Sequence, residues 1–245
     1  MSWWRVPRDF VLVRGEEAKT FLQGQLSQDV ENMDAGESRR TFLLQPQGKV
    51  DAYLRVTRIG EDAYVLDVDT GWGDDVVTRL ERFKLRTKAD VRRVDGFQVV
   101  ATLNEDGALV EELLDDMEVG GDPGHPDEYE AARIRAGLPK MGTEVDESTI
   151  PAALGVVDGA VSFTKGCYTG QELVARIDSR GGKTPTKLVG VRSASGEPGA
   201  SVVVDGNEVG TVTSAAGDVA LAMVRREVEL PSPSSVGTLV SLPMT

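Results

Sequence analysis

The chain has 245 residues, 40% of them hydrophobic and 27% charged, a composition suited to a globular protein of one large domain or two smaller ones. Its formal net charge of −13 repels a phosphate backbone and disfavours direct nucleic-acid binding, and no apolar run approaches the roughly 20 residues that span a bilayer. One cysteine excludes an internal disulfide and a cysteine-only metal site, while a single histidine, His125 in a turn-rich loop, removes serine-triad and multi-histidine chemistry from the menu.

From the amino end, Val11–Val13 reads as a strand, and Glu16–Leu26 carries Ala18, Phe21, Leu22 and Leu26 at helical spacing. Thr41–Leu44 and Ala52–Ile59 flank Gln45-Pro46-Gln47-Gly48-Lys49, whose turn chemistry predicts a hairpin. Ala63–Val68 is a third strand, and Asp74–Leu85 is a helix with Val76, Val77, Leu80 and Phe83 on one face. Phe97–Ala101 and Ala108–Met117 begin a second, shorter unit. From Lys187 onward, short strands at 188–191, 200–204, 208–213, 219–224 and 238–242 alternate with turns such as Asp205-Gly206, predicting a small all-β barrel. This order predicts an α+β class with two subdomains near 1–90 and 91–186 and a β-barrel over 187–245. The amino terminus has no apolar h-region of a signal peptide, so a cytoplasmic location is expected, with no membrane partner and a monomeric state.

Two basic runs, Arg79–Lys88 and Arg176–Lys187, are either solvated faces or patches that receive an anionic ligand. The segment richest in chemistry is Lys165-Gly166-Cys167-Tyr168-Thr169-Gly170-Gln171-Glu172. Thr169 and Glu172 stand in capping-box spacing before Leu173-Val174, so a helix is expected to start near Gly170. Cys167 then sits beside a helix N-terminus, with Lys165 near it, which favours a thiolate. Gly166 and Gly170 allow unusual backbone angles and close approach of a ligand. The local chemistry leaves two readings open: a reactive thiol, or a cysteine packed as a small hydrophobe.

The run from Lys165 to Glu172, continued by Leu173-Val174-Ala175-Arg176 and Arg180-Gly181, resembles the signature segment of the YgfZ-type proteins. Phe21–Val30, Gln45–Val50, Phe83–Arg86, Arg133–Gly142 and Val209–Ser214 resemble further segments of that family, so the resemblance spans most of the chain. The resemblance implies the fold shared with the glycine-cleavage T-protein, the GcvT-like folate-binding fold: ferredoxin-like α+β subdomains and a β-barrel around a central hole. It implies tetrahydrofolate or a derivative as ligand, no permanently bound metal, and a role in assembling or repairing iron–sulfur clusters in client enzymes, tRNA-modifying ones among them. Cys167 is the residue on which that activity would depend, within a loop of Lys165, Gly166, Tyr168, Gly170, Gln171, Glu172 and Arg176. Tyr129, Arg133, Arg135, Gln25 and Lys49 are the implied folate contacts. Two positions depart from the T-protein pattern. Ala52 and Tyr53 stand where it has paired aspartates, with Asp51 one residue off, and Arg135 stands where it has a glutamate. A folate-dependent aminomethyl- or methyltransferase, and a binding module without chemistry, are the alternative readings.

Overall fold

The computed structural model describes residues 3–115, 119–179 and 181–244. Its elements follow the alternation of apolar residues closely. The first half holds β1 (Trp3–Val6), β2 (Arg8–Arg14), α1 (Ala18–Gln25), β3 (Ser38–Leu44), β4 (Val50–Gly60), β5 (Ala63–Asp69), α2 (Gly73–Phe83), β6 (Asp90–Val94), β7 (Phe97–Leu103) and β8 (Leu109–Asp115). Then come α3 (Pro126–Ala136), the short α4 (Val157–Ala160) and α5 (Gln171–Ser179). The last part is β9 (Thr186–Arg192), β10 (Ser201–Val204), β11 (Asn207–Ala216), β12 (Val219–Arg225), β13 (Ser232–Ser234) and β14 (Gly237–Val240).

These strands form three sheets. An antiparallel sheet in the order β3-β4-β5-β2-β6 carries α1 and α2, a smaller sheet in the order β1-β7-β8 lies beside it, and six strands curl into a nearly closed barrel in the order β10-β11-β12-β9-β14-β13. Val203 and Ser235 exchange backbone and side-chain hydrogen bonds at 2.9 and 3.0 Å, which draws the two edge strands of the barrel together. The expected α+β class with a C-terminal barrel is the one observed. β6 pairs with β2 in the first sheet, while β1 crosses over to pair with β7 in the smaller one. The expected strand 108–117 is β8, with its last two positions outside the described residues.

Strand register sorts side chains by face. Arg55 pairs with Asp67 and Arg40 with Arg55, so these charges share one face of the first sheet. Val56 pairs with Leu66 on the opposite face, where Leu22, Val76 and Leu80 of the two helices complete a core that also includes Tyr168. The helix ends follow local chemistry. Asp74 and Asp75 occupy the first turn of α2 and Arg82 the last, each complementing the helix dipole. α2 stops at Phe83, two residues short of the expected end, and leaves Leu85 83% exposed. α3 begins with Pro126 at its first turn, where a missing N–H costs nothing, and Nδ1 of the exposed His125 accepts from Asp127 N at 3.3 Å. It ends on Gly137 in the left-handed conformation. No helix among the described residues is long and apolar enough to cross a membrane.

Candidate functional site: a signature loop and a central cavity

The signature segment is a loop fastened to the end of α1. Lys165 Nζ donates to the carbonyl oxygens of Gln23 (2.7 Å), Leu26 (2.7 Å) and Gln28 (2.9 Å), where the unpaired carbonyls of a helix C-terminus attract a cation. Burial brings its pKa down to about 8, against the opposing pull of Asp29. The ammonium also lies 5.1 Å from the centre of the Tyr168 ring, and Tyr168 is itself buried in the main core with its hydroxyl pushed up to about 12. Further along, Thr169 N donates to Gly24 O (3.1 Å), and before the loop Ser162 N donates to Ser27 O (3.0 Å). Between these anchors Gly166 and Cys167 are exposed.

The two glycines of the loop differ. Gly170 has φ +83, and a Cβ there would lie 2.6 Å from Gln45 O and 2.8 Å from the Leu44 side chain. Gly48, at φ +78 in the β3–β4 turn, meets Leu173 and Gly170 in the same way, so two turns pack glycine against glycine. Gly166 shows neither a left-handed φ nor a close neighbour, so the unusual backbone angle expected there is absent. The helix expected near Gly170 starts at Gln171, whose Oε1 accepts from Tyr168 N at 3.4 Å. Glu172 and Arg176 are exposed on α5, and Arg180, the last basic residue of the resemblance, lies outside the described residues.

On the other face of the first sheet is a cavity of about 860 Å³, lined by Arg40 and Arg55 of β3 and β4, Glu111 of β8, Ala132 and Arg135 of α3, and Pro243 and Met244 beyond the barrel. A buried ionic lattice forms its floor. Arg40 Nη2 meets Glu111 Oε2 at 2.7 Å, Arg55 Nε meets Asp67 Oδ2 at 2.9 Å, and Arg8 Nη1 meets Asp69 Oδ1 at 2.5 Å. Arg55 also donates to the Glu111 backbone carbonyl, and the Tyr129 hydroxyl donates to Glu111 Oε1 at 2.8 Å. Burial alone would raise the Glu111 pKa, but the guanidinium groups of Arg40, Arg8 and Arg55 outweigh it and hold the carboxyl at about 2. Burial and the neighbouring Glu111 carboxylate raise the Tyr129 hydroxyl. Four polar atoms of this lattice are buried without a hydrogen-bond partner: Arg8 Nε, Arg55 Nη2, Asp67 Oδ1 and Tyr53 Oη.

The other expected contacts are dispersed. Arg135 faces the cavity and pairs with Asp218 of the barrel loop at 3.0 Å. Arg133 turns inward to Glu130 (2.6 Å), Glu144 (3.5 Å) and Ser214 Oγ (2.8 Å), tying α3 to β11. Lys49 is exposed in the β3–β4 turn. Gln25 Oε1 accepts from Arg79 Nη1 (3.2 Å), and Arg79 in turn pairs with Asp51 (2.7 Å) beside a separate cavity of about 440 Å³. Asp51 does not line the central cavity, as its one-residue offset implies. Cys167 lines neither of these two cavities. Sequence reading missed Arg8, Arg40, Arg55, Asp67 and Glu111. Their signal was present as charges at inward positions of otherwise apolar strands, such as Arg55 between Leu54 and Val56.

The α+β sheets and the barrel make a fold that solved structures share. Aminomethyltransferase T of the glycine cleavage system from Bartonella henselae superposes with a TM-score of 0.81, covering 100% of this chain and 86% of that one at 19% identity. Residues 186–240 match the family model of the CAF17 C-terminal beta-barrel domain. An uncharacterized protein of Haemophilus influenzae is 30% identical over 184 residues, covering 69% of this chain and 65% of its own length. The tRNA-modifying proteins YgfZ of an Enterobacter species and of Shigella dysenteriae are 27% and 24% identical, with the same coverage. The chain spans about 65% of the length of these curated relatives. These likenesses together support the YgfZ/GcvT-like family as the one this chain resembles.

Proposed function

We propose that this chain is a folate-binding accessory protein of YgfZ type, which supports assembly or repair of iron–sulfur clusters in a subset of enzymes, tRNA-modifying ones included, with Cys167 as its reactive residue. The observation that carries the folate part is the central cavity. Its volume of about 860 Å³ suits a ligand of that size. Three arginines and two carboxylates line it, so it offers guanidinium donors to an anionic ligand in a strongly acidic molecule.

The residues present fit a reduced folate. Glu111 is a buried, ionised acceptor for the amino and ring N–H groups of a pterin. Arg55 Nη2 is a donor still without a partner, and Arg40 and Arg135 would hold the carboxylates of the glutamyl tail. Tyr129 fixes Glu111 in place through its hydroxyl, and Arg8 Nη2 lies 3.8 Å from Glu111 Oε2. When bound, a tetrahydrofolate would supply a one-carbon carrier and a reduced ring. Cys167 is the only cysteine, so a cluster held by this chain would need ligands from a client enzyme or the assembly machinery. The diversion of Asp51 to Arg79 weighs against aminomethyl transfer, which would need a carboxylate in the cavity at that point of the sheet.

Calorimetric titration with tetrahydrofolate tests the cavity: wild type binds, and Arg40→Ala weakens binding by about tenfold or more. Complementation of a deletion strain tests the loop. Cys167→Ala is expected to bind folate normally yet fail to restore iron–sulfur enzyme activities; full rescue would remove Cys167 from the mechanism.

A further inference from the structure

We propose that Lys165 is a positioning residue that holds Cys167 in a fixed, outward pose by clamping the signature loop onto the C-terminal end of α1. The inference rests on the reading of Cys167 as the reactive residue, and it assigns Lys165 a role through that residue rather than in contact with a ligand.

The geometry points to a clamp because the ammonium is fully used. A lysine has three N–H donors, and here each finds one carbonyl, on Gln23, Leu26 and Gln28, at 2.7, 2.7 and 2.9 Å. Among the described residues no carboxylate lies within ion-pair distance of Nζ, so at contact distance the charge is met by backbone carbonyls. Three acceptors fix a tetrahedral donor in one place, whereas a single ion pair would leave it free to swing. Two residues after Cys167, Thr169 N is pinned to Gly24 O at 3.1 Å, on the same short stretch of chain. Cys167 is thus bracketed at both ends by bonds to residues 23–28. Cys167 itself is exposed and makes no hydrogen bond among the described residues, so nothing else locates its thiol. The two anchors, not the immediate surroundings of the cysteine, decide where it points. Gly166 supports this division of labour, since it has open space around its α-carbon and adds no contact of its own.

Because Cys167 is the only cysteine in this sequence, a nitroxide label can be attached to it alone, and its electron paramagnetic resonance line shape reads the order of the loop in the whole 245-residue chain. Wild type is expected to give a largely immobilised spectrum. Lys165→Met keeps an unbranched side chain, one atom shorter, and removes the three donors, and is expected to raise the mobile component about fivefold. Leu80→Ala, on the core-facing side of α2, is the control: it lowers the unfolding temperature without changing the line shape. A Lys165→Met spectrum equal to that of wild type, or equal mobilisation by Leu80→Ala, would overturn the proposal. Should Lys165→Met fail to fold, Lys165→Gln retains two donors and is expected to give an intermediate spectrum. A mobile spectrum in the wild type itself also overturns it. None of these readings depends on folate binding or on rescue by Cys167→Ala, so this proposal and the proposed function can fail separately.

Discussion

Glu111 sits at the junction of the two sheets and receives Arg40, Arg8 and Tyr129, with its side chain only 3% exposed. Its carboxyl is held at about 2, below the ordinary 4.5, so the folded state favours the ionised form. The sign follows from linkage: the stabilisation is fully present above 4.5 and is lost as the pH falls from there towards 2. Replacing Glu111 with Gln leaves Arg40 and Arg8 facing an uncharged amide in a buried site. At neutral pH we expect a loss of about 3–5 kcal/mol in urea-denaturation stability. The gap between variant and wild type should narrow as the buffer is taken below 4.5. A gap that stays constant across that range would show that the carboxylate charge is not what holds this lattice. None of the cations meeting Glu111 was marked as a partner in the sequence. Arg8, Arg40 and Glu111 are far apart along the chain, and only the pairing of strands brings them together.

The contact between the β3–β4 turn and the start of α5 is made by two glycines. Gly48 and Gly170 both have positive φ, and a Cβ on either would run into the other turn. Gly170→Ala therefore combines backbone strain with a steric clash, and we expect it to lower stability by about 2 kcal/mol or more. Gly36 is the control, since it has φ +84 but nothing within 4 Å of where a Cβ would stand. Gly36→Ala should cost only the strain, about 1 kcal/mol, in the same denaturation experiment. Equal losses at both positions would mean that the turn-to-turn packing contributes little. The turn chemistry of Gln45–Lys49 was legible locally, and the hairpin falls where expected; α5 starts close to Gly170 as expected, although no capping-box hydrogen bond joins Thr169 and Glu172 among the described residues. Their mutual contact was not, because Gly48 and Gly170 meet only after the intervening sheets have formed. The same limit explains β1 and β6. Each is a short strand with weak alternation, and its sheet is decided by the partner it finds rather than by its own pattern.

Across the full chain, the barrel stands apart in having a core of its own around Val189, Val191, Val212, Ala222 and Leu239. It also shares a smaller apolar cluster with α3, where Ile134 packs against Leu188, Val219 and Leu221. Arg133 adds a buried polar link from α3 to Ser214. A chain ended after Pro185 would lose these partners, exposing Ile134 and leaving Arg133 and Glu144 without Ser214. We expect that truncation to lower the thermal midpoint measured by calorimetry and to promote aggregation. A truncated chain as stable as the whole would show that the barrel docks without stabilising the rest.

The α+β class, the C-terminal barrel, the hairpin turn and the position of the Lys165–Glu172 loop were all written in the order of the amino acids. These rest on periodicity and turn chemistry, which act between residues only a few positions apart. The same order placed Ala52, Tyr53 and Arg135 where the resemblance to the T-protein implies acidic residues. Folding in three dimensions settled the rest: which charges line the cavity, that Asp51 turns to Arg79, and that Lys165 reaches back to α1. Those outcomes depend on strand register and on residues more than 100 positions apart meeting in space, as Lys165 and Gln28 do. No local pattern encodes such a meeting, because its free energy arises only when the sheets, helices and barrel have closed around it.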